Sequence, residues 1–382
     1  MKFQMEVLPL RMNIVEIFEE LPDFRVRGRT SYPLSEVLVI SLCAVLAGAE
    51  DYEDMAEYGR QKSEFLGSFL ELKAGIPSHD TFNRVYRYMD RAAFTHCLSR
   101  WSAEIIGSLS ELQINIDGKV LRATSQRGKR TSGLCLVNAW VAEHCLSLGQ
   151  VKVDAKSNEK TAIPAILEDI DIKGALVSID AMGTHTKFAA QIRAKEGHYL
   201  LALKKNQKAL YEQVSDWMTR HQDSFEKAEE TDYVGGRIEE RITYLCQDLP
   251  FLDALKEWPD CQSVIMSHYE RSFKNGKEDR SSKTRFYISS ARFTAQEFGK
   301  ATRSHWSIEN QLHWYLDVVF LEDRQRVRKD HGPDNMATAR KMALQMLLQH
   351  KTKATSLKKL RKRATWNQDF LLQVLASMQI EL

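Results

Sequence analysis

The sequence has little of what marks secreted, zinc-binding or membrane-spanning proteins. Its 382 residues include only six cysteines, and no two of them stand in the Cys-x2-Cys spacing of a zinc site. No apolar run reaches the roughly 18 residues of a membrane span, and the N-terminus has no apolar signal-peptide core. These absences predict a cytoplasmic protein with reduced thiols and no membrane partner.

The chain also lacks a strong net charge. Its 54 Lys and Arg residues nearly balance 51 Asp and Glu residues, which leaves +3 and excludes a uniformly basic nucleic-acid binder. The distribution is uneven, because residues 301–363 hold 14 basic and 6 acidic residues, an excess of +8 that leaves −5 elsewhere. A basic C-terminal region suits phosphate contact. A solvated helical surface is the alternative.

The first 105 residues have apolar positions at helical spacing, with Pro22 and Pro33 marking breaks. The segment IPSHDTFNRVYRYMD places Arg84 and Arg87 among aromatic residues, after a predicted helix start at Ser78. This pattern fits the second helix of a helix-turn-helix, which enters a DNA groove. An ordinary amphipathic helix with surface arginines gives the same pattern.

After residue 105 the sequence reads as alternating strands and helices. Three closely spaced strands, in LQINIDGKVLRA, LCLVNAWVAEH and LSLGQVKVDAK, predict an antiparallel meander. A helix, the buried strand GALVSIDA, a second helix and the strand HYLLALKKN follow. The order β-β-β-α-β-α-β predicts an α/β core with a mixed sheet that helices cover on both faces.

A strand-rich insertion then interrupts this core. A charged helix through Trp217 precedes the alternating segments RIEERITYLCQ, QSVIMSHYERSF and KTRFYISS, and a hairpin-like KNGKED turn separates the last two. Helical periodicity returns after residue 300. The predicted parts are a helical N-terminal domain (1–105), a core (106–205 and 301–345), the insertion (206–300) and a basic helical tail (346–382).

Two aspartates stand where a sheet would bring them together. Asp117 lies in the first strand of the core, and Asp180 closes the fourth strand. If these strands are neighbours, the two carboxylates face each other and repel, unless a cation intervenes. A divalent ion such as Mg²⁺, which prefers carboxylate oxygens, is the expected partner of Asp180, rather than a turn.

Glu309 is the candidate for a third acid. It shares one helix face with His305, His313 and Asp317, at i+4 spacing, although a solvent-exposed polar stripe has the same pattern. Three acids could hold two metal ions for in-line phosphoryl displacement. The His-Glu-x2-His spacing of zinc hydrolases is absent.

Four segments together resemble the H-repeat-associated DDE transposases of bacterial insertion sequences: INIDGKVLR, VSIDAMGTH, YLLALKKNQ and HWSIENQLHWYLDVVFLEDRQRVR. The resemblance spans nearly the whole chain. It implies a ribonuclease-H-like mixed sheet with flanking helices, beside an all-helical, DNA-associated N-terminal domain. It also implies Asp117, Asp180 and Glu309 as the catalytic and metal-binding triad, with two Mg²⁺ ions or Mn²⁺ as a substitute.

The same resemblance implies the partners. Double-stranded DNA is the expected substrate, both at the element ends and at the target, and a homodimer is expected on paired ends. No small-molecule substrate is expected, and the protein would act at the nucleoid in the bacterial cytoplasm.

The chain departs from one signature of the related transposase group, Tyr-x2-Arg-x3-Glu-x6-Lys around the third acid. Thr302, His305 and Leu316 stand where the signature has Tyr, Arg and Lys. Phosphate contacts are therefore not carried over to Thr302 and Leu316. A protonated His305 stays a candidate DNA contact.

Other cations near these motifs are candidate DNA contacts, and exposed loops or helices are the alternative. The candidates are Lys204, Lys205, Arg324, Arg326, Arg328 and Lys329, with Arg84 and Arg87 of the N-terminal helix. Next to Asp117, Gly118 is predicted to form a tight turn or bulge. Lys119 is predicted to reach phosphate or water.

Three functions fit these residues. The first is a DDE transposase that cleaves element ends and transfers the strands to target DNA. The second is a stand-alone metal-dependent nuclease of the same fold. The third is a non-mobile relic that only binds DNA, which an intact triad argues against.

Overall fold

The computed structural model describes residues 13–377, except 27, 126–132, 154–158, 250–252 and 274–280. The N-terminal part is helical, as predicted, and its helix α2 is buried on nearly every side because it is apolar all round. Its helices are α1 (Asn13–Glu19), α2 (Leu34–Ala47), α3 (Tyr52–Gln61), α4 (Ser63–Leu66), α5 (His79–Tyr88) and α6 (Arg91–Ile106).

The described strands form a single mixed sheet. They are β1 (Gln113–Leu121), β2 (Leu134–Val141), β3 (Leu146–Val153), β4 (Leu176–Ile179), β5 (His198–Leu203), β6 (Glu226–Val234), β7 (Arg237–Cys246), β8 (Ser263–Phe273) and β9 (Ser281–Ser289). Their order across the sheet is β3-β2-β1-β4-β5-β9-β8-β7-β6. Strands β1 to β3 are antiparallel, while β4 runs parallel to β1 and to β5. The predicted ribonuclease-H-like mixed sheet is confirmed.

The strand-rich region continues this sheet, because β9 pairs antiparallel with β5. Its three predicted strands are β7, β8 and β9, and the loop predicted at 274–279 lies outside the described residues. The sequence reading missed β6. Strand β6 turns into β7 through Gly235 and Gly236, which both have positive φ and so suit a two-residue hairpin turn.

Helices cover both faces of the sheet. Those after β3 are α7 (Glu159–Glu168), α8 (Thr186–Ala194), α9 (Lys208–Arg220), α10 (Ala295–His305), α11 (Trp314–Val318), α12 (Gly332–Gln349), α13 (Leu357–Trp366) and α14 (Gln368–Ala376). Helices α7, α8 and α9 pack on the face that carries Ile114 and Ile116. Helix α10 packs on the opposite face through Phe298, against Leu200 and Ile265.

The C-terminal helices belong to the N-terminal apolar core. Residues of α12, α13 and α14 are buried in one cluster with those of α1 to α6. Part of the basic C-terminal charge is therefore internal: Arg340 and Lys341 are each 1% exposed. Arg361 donates to the carbonyl oxygens of Val45 and Val319. Within the described residues, no helix combines the length and apolarity that crossing a membrane requires.

Candidate active site

The register of two central strands brings the predicted aspartates together. In the parallel pair β1–β4, Ile116 is the partner of Ile179, and Asp117 and Asp180 are the next residues along each chain. Because side chains alternate along a strand, both carboxylates lie on the face that α10 covers. The predicted neighbourhood of the first and fourth strands is confirmed.

Asp117 lies within its strand and not before a turn. Strand β1 continues to Leu121, and Gly118 pairs regularly with Val137, so the predicted turn or bulge at Gly118 is wrong. The backbone of Asp117 is therefore held in the sheet by its pairing with Asn138 of β2. The imidazole Nδ1 of His313 lies 3.6 Å from Asp117 Oδ2.

Asp180 begins a tight turn at the end of β4. Its Oδ1 accepts hydrogen bonds from the backbone N–H groups of Met182 (3.0 Å) and Gly183 (3.1 Å). A Cβ at Gly183 would lie 2.5 Å from Ile179 Cγ2, so a larger residue would disturb this turn. The expectation that a metal rather than the turn is the partner of Asp180 is corrected in one respect: the turn N–H groups bind the carboxylate, which stays only partly buried. The metal stays a prediction.

Glu309 lies in a π-helical segment, Ile308–His313, between α10 and α11. In a regular α-helix, residues four apart drift by about 40° around the axis at each step. The wider i→i+5 turn of a π-helix counters that drift, and such segments often occur at functional sites. Sequence reasoning missed this segment, although the repeated i+4 spacing of polar residues was a signal for it.

Hydrogen bonds hold the start of this segment on the sheet. His305 Nδ1 lies 2.9 Å from Ser178 Oγ, on β4. Asn115 of β1 donates to Ser307 Oγ (3.3 Å). Ser178 and Asn115 each precede a predicted catalytic aspartate by two residues on the same face of the sheet. Glu309 follows Ser307 by two residues, so these contacts anchor its segment to β1 and β4.

Electrostatic influences agree with this placement of Glu309. Its partial burial raises the pKa of the Glu309 carboxyl, and the negative charge of Asp180 raises it further. The positive charges of Arg285 and Lys204 act in the opposite direction. Glu309 is therefore in the field of Asp180, as like charges sharing one site would be.

The two histidines beside Glu309 are neutral. Burial lowers the pKa of His305 to about 4 and that of His313 to about 3. His305 is 7% exposed and faces Ser178, which leaves its expected contact with phosphate without support. Thr302 and Leu316 are also buried, so these three signature positions lie in the interior of this chain.

Lys119 is buried rather than directed at phosphate or water, which corrects the expectation for this residue. Its Nζ lies 2.5 Å from Asp317 Oδ1 and 3.2 Å from Glu322 Oε2. Lys341, whose Nζ donates to Gln150 Oε1, is also buried, and its burial lowers its pKa to about 8 while the charge of Glu322 opposes that shift. We call Lys119, Asp317, Glu322 and Lys341 the closed ionic cluster.

The three acids have the chemistry of a site for a divalent cation. They offer hard carboxylate oxygens, which suit Mg²⁺ or Mn²⁺, and the effect of Asp180 on Glu309 is one that a cation would relieve. In the described part of the chain, no three His, Cys, Asp or Glu side chains already form a metal-binding group. Asp117, Asp180 and Glu309 offer the donor chemistry for such an ion, but in the described structure their carboxylates do not form one group.

Comparisons with known proteins agree with this geometry. The profile of the family described as Transposase DDE domain matches residues 110–346. The DDE_Tnp_1-associated profile matches residues 15–102. The chain belongs to the DDE transposase family.

Its relatives match over almost the full length. The transposase is 35% identical to "Putative transposase YncI" of Escherichia coli O157:H7, over 96% of this chain and 95% of the relative. It is 34% identical to "H repeat-associated putative transposase YhhI" of Escherichia coli (strain K12), over 95% and 97%. The predicted resemblance to H-repeat-associated transposases is confirmed.

A solved structure is also similar to the transposase, at 10% sequence identity. It is a piggyBac transposase synaptic complex with hairpin DNA, which aligns with a TM-score of 0.43 over 98% of this chain and 81% of the other. This likeness is too weak to support a conclusion about the site.

The candidate DNA contacts lie in the chain after β5, in the chain after α11 and on helix α5 of the transposase. Asn206, next to Lys204 and Lys205, donates to the carbonyl oxygen of Ala181 (2.7 Å) and so ties their loop to the Asp180 turn. Arg87 is engaged in an ion pair with Asp330 at 2.6 Å. The exposed candidates are Arg84, Lys204, Lys205, Arg324, Arg326, Arg328 and Lys329.

Sequence reasoning missed one cation beside Glu309. Arg285 of β9 lies with its guanidinium carbon 4.2 Å from the ring centroid of Trp306. The alternation of KTRFYISS predicted a strand there, but no local pattern indicates which distant helix a strand meets.

Proposed function

We propose that this transposase cleaves DNA at the ends of its insertion sequence and joins those ends to target DNA. Asp117, Asp180 and Glu309 are the proposed catalytic residues. The observation that supports the proposal is the β1–β4 register, which makes the two aspartates neighbours, together with the effect of Asp180 on the pKa of Glu309.

The proposed role of the three carboxylates is to hold two divalent cations, Mg²⁺ or, as a substitute, Mn²⁺. When bound, such ions activate the attacking oxygen and stabilise the charge on the leaving oxygen of a phosphodiester. The chain's own contribution is orientation. The turn N–H groups of Met182 and Gly183 fix Asp180, and the π-helical segment presents Glu309.

The proposed reaction has two displacements at phosphorus. In the first, a water oxygen bonds to the phosphorus at the element end, and the bond to the 3′ oxygen breaks to give a 3′-hydroxyl and a 5′-phosphate. In the second, that 3′ oxygen bonds to a target phosphorus and releases the target's own 3′ oxygen as a hydroxyl. Each step exchanges one P–O bond for another, so no covalent protein–DNA link is needed.

The proposed DNA contacts are the exposed cations around the acids and on α5. Lys204 and Lys205 are supported by their link to the Asp180 turn. Arg324, Arg326, Arg328 and Lys329 are supported by their exposure directly after the Glu309 helix. We also propose binding through Arg84 of α5, and a homodimer on paired ends.

A cleavage and joining assay tests this function. Labelled duplexes that carry the DNA flanking the gene would be incubated with a supercoiled plasmid, with and without Mg²⁺ or Mn²⁺. Wild type is expected to nick the ends and form joined products. We expect a reduction in the cleavage rate of about a thousandfold or more for each of Asp117→Asn, Asp180→Asn and Glu309→Gln. Each variant replaces a carboxylate that is proposed to bind metal by a neutral amide.

The outcomes separate the three candidate functions. Cleavage without any joined product would favour a stand-alone nuclease. DNA binding without cleavage by the folded wild-type protein would favour a relic. A Glu309→Gln variant that cleaves like wild type would contradict the assigned triad.

A further inference from the structure

A cavity of about 420 Å³ adjoins Glu309 on the side of the strand-rich region. Strands β6 to β9 form its floor, and α10 with the start of the π-helical segment forms its wall. Glu309, Asn310 and Trp306 line the wall. Its volume is in the range of ligand sites, and a nucleotide that enters it would lie against a proposed catalytic acid.

Two of the four cations that line the cavity are neutralised within the fold. Arg241 lies 2.8 Å from Asp232 and 2.5 Å from Glu239. Arg303 lies 2.7 Å from Asp232 and 3.5 Å from Glu230. Their charge is therefore committed to the protein.

The other two cations, Lys283 and Arg285, belong to β9. They are two residues apart, so they lie on the same face of the strand, and both line the cavity. Among the described residues, neither has a carboxylate within 4.0 Å. Lys283 is exposed, and the stacking of Arg285 on Trp306 restricts its guanidinium.

Arg285 is also the cation with the largest effect on Glu309. Its charge opposes the rise in the pKa of Glu309 more strongly than that of Lys204 does. The guanidinium is thus held beside a proposed catalytic acid and faces an open cavity.

We propose that Arg285, with Lys283, binds a backbone phosphate of the DNA strand beside Glu309, an inference that rests on the proposed function. A planar guanidinium can donate two parallel hydrogen bonds to one phosphate, and its stacking on Trp306 lowers the entropy lost on binding. The Arg position of the related group's signature holds the buried His305 in this chain. Strand β9 supplies the cation instead, and Trp306 is its positioning residue.

Metal-free DNA binding tests the contact independently of cleavage. Fluorescence anisotropy would measure the affinity of wild type, Arg285→Gln and Arg285→Lys for duplexes made from the DNA that flanks the gene. Arg285→Gln is expected to lose about tenfold in affinity, and its slope of log affinity against log salt should fall by about 0.9. Arg285→Lys should keep the salt slope, because it keeps the charge.

Arg292→Gln is the matched control. Arg292 is exposed just after β9 and does not line the cavity. Equal losses for Arg285→Gln and Arg292→Gln would overturn the proposal, because they would reflect general charge alone. Thermal unfolding of each variant would show whether a loss of affinity follows from a loss of folded protein.

A neutral-phosphate scan locates the contact. Single methylphosphonates would be placed in turn along each strand of the flanking duplex and of an unrelated duplex. At the phosphate that Arg285 contacts, the methylphosphonate should weaken DNA binding by wild type. The same methylphosphonate should not weaken binding by Arg285→Gln any further, because that variant has already lost the contact. We call this non-additive loss coupling between Arg285 and the phosphate. Coupling that occurs only on the flanking duplex assigns the contact to the element end. Coupling on both duplexes assigns it to DNA in general.

Additive losses at every position would refute the contact, even if Arg285→Gln binds weakly. The scan also separates this inference from the proposed function. Cleavage by wild type without any coupling would leave the function and remove the phosphate contact. Coupling without cleavage would keep the contact and remove the function.

Discussion

Two groups of carboxylates lie over the same face of the sheet and differ in what neutralises them. Asp317 and Glu322 share the ammonium group of Lys119, and Lys341 lies buried nearby. Asp180 and Glu309 have no Lys or Arg within 4.0 Å in the part of the chain that the structure describes, and the charge of Asp180 raises the pKa of Glu309.

The difference distinguishes carboxylates that are paired with a lysine of the fold from carboxylates that have no such partner and so are candidates for catalysis. The closed ionic cluster joins β1 to the chain after Glu309. Its carboxylates, Asp317 and Glu322, have Lys119 of the same protein as their cationic partner. The acids at Asp180 and Glu309 are held by backbone and helix geometry, and Arg285 and Lys204 act on Glu309 only from beyond 4.0 Å. A divalent cation is the direct partner that we propose for these acids. Nearness to the site alone therefore does not identify a functional acid, since Asp317 lies only eight residues after Glu309 in the sequence and is paired with Lys119.

Breaking the closed ionic cluster should have the largest effect on stability. Lys119→Met would remove the cation that contacts Glu322, which is 1% exposed, and would leave this buried acid with only the more distant charges of Lys341 and Arg340. We expect the free energy of unfolding to fall by about 3–5 kcal/mol, measured by chemical denaturation. Adding Glu322→Gln should recover part of the loss, because the buried charge is then removed.

Lys152→Met is the matched control for that change. Lys152 of β3 lies 3.4 Å from Asp334, but Asp334 keeps a second cation, Arg91, at 3.6 Å. A smaller loss is expected for this reason. An equal loss of unfolding free energy for Lys119→Met and Lys152→Met would show that the closed ionic cluster stabilises the fold no more than the Lys152–Asp334 ion pair does.

The buried Lys341 makes stability depend on pH. Its pKa in the folded protein is about 8, below its ordinary value of 10.5, so the folded state binds fewer protons than the unfolded state between these values. Stability must then rise with pH in this window, and the cost of the buried charge is fully present below about pH 8.

The measurement compares wild type with Lys341→Met. Between pH 7.5 and pH 9.5, the unfolding free energy of wild type should gain about 2 kcal/mol relative to the variant. Replacing the exposed Lys353 by Met should produce no such change. A difference between wild type and Lys341→Met that stays constant with pH would mean that Lys341 is not buried as a cation.

The core strands could be predicted because their signals are local. Strand β1 shows alternating apolar and polar residues, and β4 shows a nearly continuous apolar run. A mixed sheet with this order of strands makes β1 and β4 neighbours, and this predicted that Asp117 lies beside Asp180. Strand β6 was missed because Glu, Asp and Lys are depleted in strands, although charged residues suit the exposed edge that β6 occupies. The Gly-Gly turn after it was the available signal.

The partners of the charges could not be predicted. Lys119 and Asp317 are 198 residues apart in sequence, and Arg285 meets Trp306 only because β9 returns beside β5. Such contacts depend on how distant strands and helices pack, which no spacing in the sequence encodes. The same reason made the buried Arg340 and Lys341 look like part of a basic surface.

The most direct test of this account is a calorimetric titration of Mn²⁺ into wild type, Asp180→Asn, Glu309→Gln and Asp317→Asn. We predict that wild type and Asp317→Asn bind the ion alike, because Lys119 already neutralises Asp317. Asp180→Asn and Glu309→Gln should each lose at least about tenfold in affinity, or about 1.4 kcal/mol. Equal binding by all four proteins, or a loss confined to Asp317→Asn, would contradict the proposed site.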